Sequence, residues 1–167
     1  MIFFNECDSR ECGQKSLAFL PCQKTMFSEH NSRQGLFFLK MEITINSQKR
    51  NELIDITFQV QELIKNVEKG VCTIFVPHTT AAITINESAD PDVRIDILRK
   101  LSELIPQHDN YLHSEGNSDA HLKTSLIGSS VQVIIKKGVL VLGTWQAIYF
   151  CEFDGPRNRK VLVEVLD

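Results

Sequence analysis

No stretch of this 167-residue chain is apolar for long enough to cross a bilayer as a helix, so no membrane partner is expected. It has no run of Lys or Arg, and its net charge is −3. That removes the electrostatic footprint of nucleic-acid binding. Met1-Ile2-Phe3-Phe4 is followed at once by Glu6, Asp8 and Glu11, which is not the basic-then-apolar pattern of a secretory signal. The expected compartment is therefore cytoplasmic. There is no glycine-rich phosphate loop of the Walker or dinucleotide type, and no internal repeat. Cysteine is scarce and odd in number, at five. Cys7, Cys12 and Cys22 match no zinc spacing, and Cys72 and Cys151 sit in apolar β-runs, where a free thiol behaves as a small hydrophobe. Reduced thiols in a reducing compartment follow.

What remains is the composition of an ordinary globular protein, long enough for one domain with a real core. Residues 1–38 mix Phe3, Phe4, Phe19, Leu20, Phe27 and Phe37 with polar residues and show neither helical nor strand period. They read as an extension, loosely ordered or docked on the surface, or as a product of where the reading frame was taken to begin, since Met41 opens the first clean strand. The domain proper is 39–167.

Within it, Met41, Ile43 and Ile45 alternate with Glu42, Thr44 and Asn46, a half-buried strand. Asp55 is placed to cap a helix carrying Ile56, Val60, Leu63 and Val67, which Gly70 ends. The apolar run Val71–Val76 breaks at Pro77 and resumes with Ile83 and Ile85. Asp90 caps a second helix, Pro91 opens it, and Val93, Ile97, Leu101, Leu104 and Ile105 form its apolar face up to Pro106. After a polar loop, a short helix spans roughly 120–127. Strands at 131–135, 139–142, 144–153 and 160–166, separated by glycine-bearing turns, predict a β-meander. The class is α+β: a mostly antiparallel, sandwich-like sheet packed with two main helices.

Three polar constellations stand out. Pro77 breaks a strand and delivers His78, Thr79 and Thr80, an imidazole beside two hydroxyls; the alternative is a turn histidine satisfying a backbone carbonyl. His113 and His121 bracket a loop containing Glu115, Asn117 and Asp119. With His78 they would suit zinc or another first-row divalent ion, Asp119 orienting an imidazole; alternatively they are surface loop and cap residues. Glu87 follows a strand without an obvious structural duty and could serve as ligand or general base. Trp145 beside Gln146 has the make-up of a ring-stacking wall with an amide to read polar edges, although tryptophans more often pack cores or interfaces. Arg157 and Arg159 could clamp a phosphate, or merely decorate a solvated turn.

Taken in order, His78-Thr79-Thr80-Ala81-Ala82, Asn86-Glu87, Asp90-Pro91-Asp92-Val93-Arg94, His113 with Gly116 to His121, Gly143-Thr144-Trp145-Gln146 and Asp154-Gly155-Pro156-Arg157 form one collinear set over about residues 40–166. This set resembles the YjbQ-like family. The resemblance implies an α+β sandwich-like subunit that assembles as a homotrimer, with a polar pocket near the subunit boundary. It also implies a secondary thiamine-phosphate synthase activity, which joins hydroxymethylpyrimidine diphosphate to a thiazole phosphate and releases diphosphate. On that reading the partner is a small phosphorylated heterocycle and the cofactor a divalent metal ion, zinc or magnesium, near His78, His113 and His121. His78, Glu87, Asp119 and His121 are then the catalytic candidates, and Thr79, Thr80, Asn117, Trp145, Gln146 and Arg157 the substrate-binding ones. The alternatives are a metal-dependent hydrolase of a phosphorylated metabolite and a trimeric binding protein without turnover.

Overall fold

Alternation along the strands sets the layers. A computed structural model describes residues 27–29 and 38–166; the other residues of the extension, with Cys7, Cys12, Cys22, Phe3, Phe4, Phe19, Leu20 and Phe37, lie outside the described residues. In β2 (Phe38–Asn46), Met41, Ile43 and Ile45 are buried while Thr44 and Asn46 are exposed. β9 (Asn158–Leu166) buries Val161, Val163 and Val165 in the same way. The two strands pair antiparallel from Phe38 opposite Leu166 to Asn46 opposite Asn158. β1 (Phe27–Glu29), β4 (Lys69–Phe75), β6 (Ser130–Lys136) and β7 (Val139–Leu140) complete a six-stranded sheet ordered β1-β2-β9-β4-β6-β7. So the extension contributes an edge strand that its residue pattern does not announce.

A second sheet contains β3 (Glu52–Asp55), β8 (Gln146–Glu152) and β5 (Ala81–Glu87), with β8 in the middle. Every ladder in both sheets is antiparallel among the described residues. β8 alternates between two cores. Ile148 and Phe150 join Ile43, Ile74, Ile83, Val161 and Val163 between the sheets. α1 (Thr57–Ile64) adds Val60 and Ile64 to this core. On the other face of β8, Ala147, Tyr149 and Cys151 pack with Leu101 of α2 (Pro91–Leu104) and Ala120 of α3 (Ser118–Ile127). The described residues form an α+β sandwich in which α2 and α3 cover the outer face of the small sheet, the small sheet packs on the large one, and α1 adds to the core between them.

The local expectations hold best at α2. Asp90 Oδ1 accepts the Asp92 N–H at 2.9 Å, and Pro91 occupies the first turn, where its missing donor costs nothing. α1 is shorter than its apolar spacing predicts. Asp55 ends β3 yet still accepts the Thr57 N–H at 2.9 Å, and the helix stops at Ile64. Beyond it the Val67 and Glu68 carbonyls accept from Gly138 and Lys137, so the β6–β7 turn draws this segment out of the helix. Gly70 is therefore a strand residue of β4 and ends no helix.

The predicted meander does not form. β8 and β9 are joined by a short turn but lie in different sheets. The turn is pinned instead to the β2–β3 connection, where the Gly155 N–H donates to the Arg50 carbonyl at 3.1 Å and the Ser47 N–H to the Arg157 carbonyl at 3.0 Å. A side chain at 155 would collide with the Lys49 carbonyl oxygen and the Ser47 hydroxyl, so this approach requires glycine. Phe150→Ala should remove about 3–5 kcal/mol of unfolding stability in a urea titration, because it leaves a ring-sized void in the inter-sheet core. A loss below about 1 kcal/mol would mean that the ring is not packed as described.

Candidate functional site

The inward-facing positions of the sandwich become polar at one end. On β2 the inward series Met41, Ile43, Ile45 continues to Ser47; on β9, Val165, Val163 and Val161 continue to Arg159; on β8, Ile148 and Phe150 continue to Glu152. All three polar residues are buried. Arg159 grips Glu152 with a fork, Nη2 to Oε1 at 2.6 Å and Nε to Oε2 at 2.8 Å. Ser47 Oγ donates to Glu152 Oε2 at 2.9 Å, the Phe153 and Asp154 amides donate to Oε1, and Arg159 Nη2 also donates to Thr80 Oγ1 at 2.8 Å. Burial pushes the Glu152 carboxyl up, but the Arg159 bonds and charge, with the Asp154 and Ser47 donors, outweigh it and hold the group below the usual carboxylate value.

A second network adjoins the first. Asp119, fully buried in the first turn of α3, accepts from Arg50 Nη2 at 2.8 Å and from the buried Lys123 at 2.7 Å. Asp154 accepts from Arg157 Nη2 at 2.8 Å, Asn117 Nδ2 at 3.2 Å and Arg50 Nη1 at 3.4 Å. Arg50 thus bridges α3 to the 153–157 turn. Burial raises the Asp154 carboxyl, and the bonds from Asn117 and Arg157 with the charges of Arg157 and Arg50 bring it below its ordinary value.

His78 stands beside these networks, in the link from β4 to β5. Its Nε2 accepts the Lys160 N–H at 2.9 Å, a bond that exists only for the neutral ring and leaves the proton on Nδ1. Burial and then the Arg159 charge lower the His78 pKa, against the pull of Glu152. The turn-histidine alternative is thus half met, with the polarity reversed: the ring accepts from a backbone N–H and satisfies no carbonyl. His113 and His121 form a pair of their own, ring centroids 5.3 Å apart and edge to face, with Glu115 Oε2 at 3.6 Å from His113 Nε2.

This geometry sorts the residues named from the sequence. His78, Thr79, Thr80, Asn117, Asp119 and Arg157 belong to segments that meet at the polar end. Glu87, Trp145 and Gln146 do not. Ala81 lies opposite Glu152 and Glu87 opposite Gln146 in the β5–β8 ladder. Six residue steps along β5 separate the two ends by about 20 Å. At the far end Gln146 Oε1 accepts the Gly143 N–H at 2.8 Å, and Trp145 is 63% exposed, so the indole is no core residue. The set put forward for a metal is likewise not assembled within one chain. Among the described residues no three His, Cys, Asp or Glu side chains are grouped to hold an ion, and the His78 Nε2 lone pair already takes the Lys160 N–H. Arg159, expected in an exposed phosphate clamp, is buried and committed to Glu152 and Thr80.

Comparison with known proteins gives this arrangement a family. The family model for UPF0047 protein YjbQ-like matches residues 41–167. A UPF0047 protein of Methanocaldococcus jannaschii is 54% identical over 73% of this chain and 90% of its own length. YugU of Bacillus subtilis is 49% identical over 74% of this chain and 96% of its own. Among solved structures, a YjbQ/UPF0047-family protein of Clostridium acetobutylicum aligns at TM-score 0.73 and 52% identity, covering 75% of this chain and 98% of that one. A YbjQ-like protein of unknown function from Sulfolobus solfataricus aligns at 0.75 and 35%, covering 78% and 98%. The chain belongs to the YjbQ-like family.

In this YjbQ-like chain, sequence reasoning missed Ser47, Arg50 and Lys123, and left Glu152 and Asp154 without a role. Two carried a signal. Ser47 continues the period of two after Ile45, and Lys123 lies one helical turn after Asp119, where an opposite charge pairs. Arg50, in an irregular turn, carried none. Glu152→Gln should cost about 3–5 kcal/mol at pH 7, because Arg159 is left buried without its counter-charge. The Glu152 contribution is complete above its unfolded value of 4.5 and fades as pH falls through the lower folded value. Urea titrations of both proteins at several pH values should therefore converge in acid. A constant gap would assign the loss to packing.

Proposed function

We propose that this YjbQ-like chain is a transferase that joins hydroxymethylpyrimidine diphosphate to a thiazole phosphate and releases diphosphate, with the polar end of the sandwich as its ligand site. The observation that carries this reading is convergence. Thr80, Asn117, Asp119 and Arg157, from three separate segments, meet around buried ion pairs at the end where the inward-facing positions of β2, β8 and β9 turn polar together. In the reaction, the bond from the pyrimidine methylene carbon to the diphosphate oxygen breaks and its electron pair leaves with diphosphate. The thiazole nitrogen lone pair forms the new C–N bond. Negative charge grows on the departing oxygen, so fixed cations and N–H donors beside it lower the barrier.

The groups divide accordingly. His78, neutral with its proton on Nδ1, is a donor for the departing oxygen. Arg157, half exposed and held only by Asp154, is free enough to take a phosphate. Asp119, saturated by Arg50 and Lys123, acts as a positioning group, and His121 remains as an acid–base candidate. A divalent cation, zinc or magnesium, belongs to this reading as the companion of the diphosphate; His113 and His121 are the imidazoles the chain offers it. Assembly as a homotrimer completes it, since a second copy is what would bring Glu87, Trp145 and Gln146 against a polar end.

Purified protein given both substrates and magnesium should form thiamine phosphate. His78→Ala and Arg157→Ala should each slow it about 10²-fold or more. Chelation should abolish the product, and sedimentation should give three times the chain mass. If wild-type protein makes no thiamine phosphate above the His78→Ala background, the assignment is wrong.

A further inference from the structure

The link from β4 to β5 is tied to the domain through the opening residues of β9. β4 pairs with β9 from Val71 opposite Leu166 to Phe75 opposite Leu162. Two residues further, the same register would set Pro77 against Lys160, but there β4 has left the sheet. The next N–H that β9 turns toward this side, that of Lys160, donates instead to His78 Nε2 at 2.9 Å. An imidazole stands where a ladder carbonyl would have stood. The bond also fixes the tautomer, since a nitrogen that accepts does not carry the proton.

The adjacent residue of β9 anchors the same link through its side chain. Arg159 Nη2 donates to Thr80 Oγ1 at 2.8 Å as well as to Glu152 Oε1, and the Phe153 N–H donates to the Thr80 carbonyl at 3.2 Å. The sequence puts Thr80 among the substrate-binding residues. In the structure Thr80 is 6% exposed and its oxygen already accepts from a buried guanidinium, so it does not face a ligand. Thr79, which is exposed, is the hydroxyl of the pair that remains open. His78 thus has one bond of its own and a fixed neighbour two residues on. The bond alone would let the ring move with its backbone; the anchor at Thr80 holds that backbone.

We propose that Thr80, gripped by Arg159, is a positioning residue for His78: together with the Lys160 amide it holds the imidazole with Nε2 on β9 and the proton on Nδ1. The proposal deepens the preceding reading by naming what presents the donor to the departing oxygen. It rests on that reading for the reaction, not for the geometry of the ring.

Nitrogen-15 spectra of the full chain labelled at histidine test it, with the His78 signals identified by their loss in His78→Ala. At a pH where the ring is neutral, the wild-type protein should show one tautomer, protonated on Nδ1. Thr80→Val keeps the shape of the side chain but removes the oxygen that Arg159 meets. Both His78 signals should then shift toward those of exchanging tautomers, and Thr80→Ser, which keeps the oxygen, should restore the wild-type pattern. In the transfer assay Thr80→Val should lower kcat about 10²-fold at unchanged KM, the effect of a slightly misplaced reacting group; a hydroxyl that touched substrate would instead raise KM. A wild-type ring protonated on Nε2 overturns the proposal whether or not the variants fold. Unchanged His78 signals in a folded Thr80→Val variant overturn it too. The expected spectra without thiamine phosphate synthesis would discard the reaction alone. Synthesis with a raised KM and unmoved His78 signals in Thr80→Val would discard the positioning role alone.

Discussion

The Glu152–Arg159 pair is the interaction on which the rest depends. It joins the small sheet to the large one at the point where both run out of apolar inward residues. A buried ion pair gains little over a hydrophobic substitute, because two desolvations offset the Coulomb attraction, yet losing one partner is severe. Its value here is geometric. With both Glu152 oxygens and the Arg159 fork occupied, the ends of β8 and β9 have one way to face each other. That fixes Ser47, Thr80 and the 153–157 turn, and through them the approach of α3.

This architecture explains what a reader of the sequence could and could not see. Capping and period suffice at α2, where Asp90, Pro91 and the apolar spacing all act within one segment. They suffice for β2 and β9, whose alternation is complete. They fail where long-range contacts decide. Turn residues between β8 and β9 signal a reversal but do not say whether the strands pair, and here a charge pair across the gap replaces a ladder. α1 loses its last turn to a turn distant in sequence. The site divides likewise: collinear motifs name the polar segments, but linear order places Trp145 and Gln146 closer to Arg157 than the fold does. Arg50 was invisible because an irregular turn has no period.

Family membership and geometry constrain different things. The YjbQ-like match accounts for the fold and for the co-occurrence of the motifs. The networks show which of those residues are already spent. Arg159 is taken up by Glu152 and Thr80, and Asp119 by Arg50 and Lys123, so these act as framework, whereas His78 Nδ1 and the Arg157 guanidinium retain capacity. Motif residues near one another are therefore not equivalent chemically.

β8 touches both cores with alternate residues and is hydrogen-bonded on both edges, to β3 and β5. A one-residue slip would turn Ile148 and Phe150 toward the helices and Tyr149 and Cys151 toward the large sheet, spoiling two interiors at once. It would also carry Glu152 away from Arg159. Length in this strand is therefore under far tighter control than chemistry: side chains between Gln146 and Glu152 can be exchanged for others of like size, but a residue cannot be added or removed. In the polar 107–116 connection, which has neither ladder nor core to keep in step, an insertion meets no such barrier.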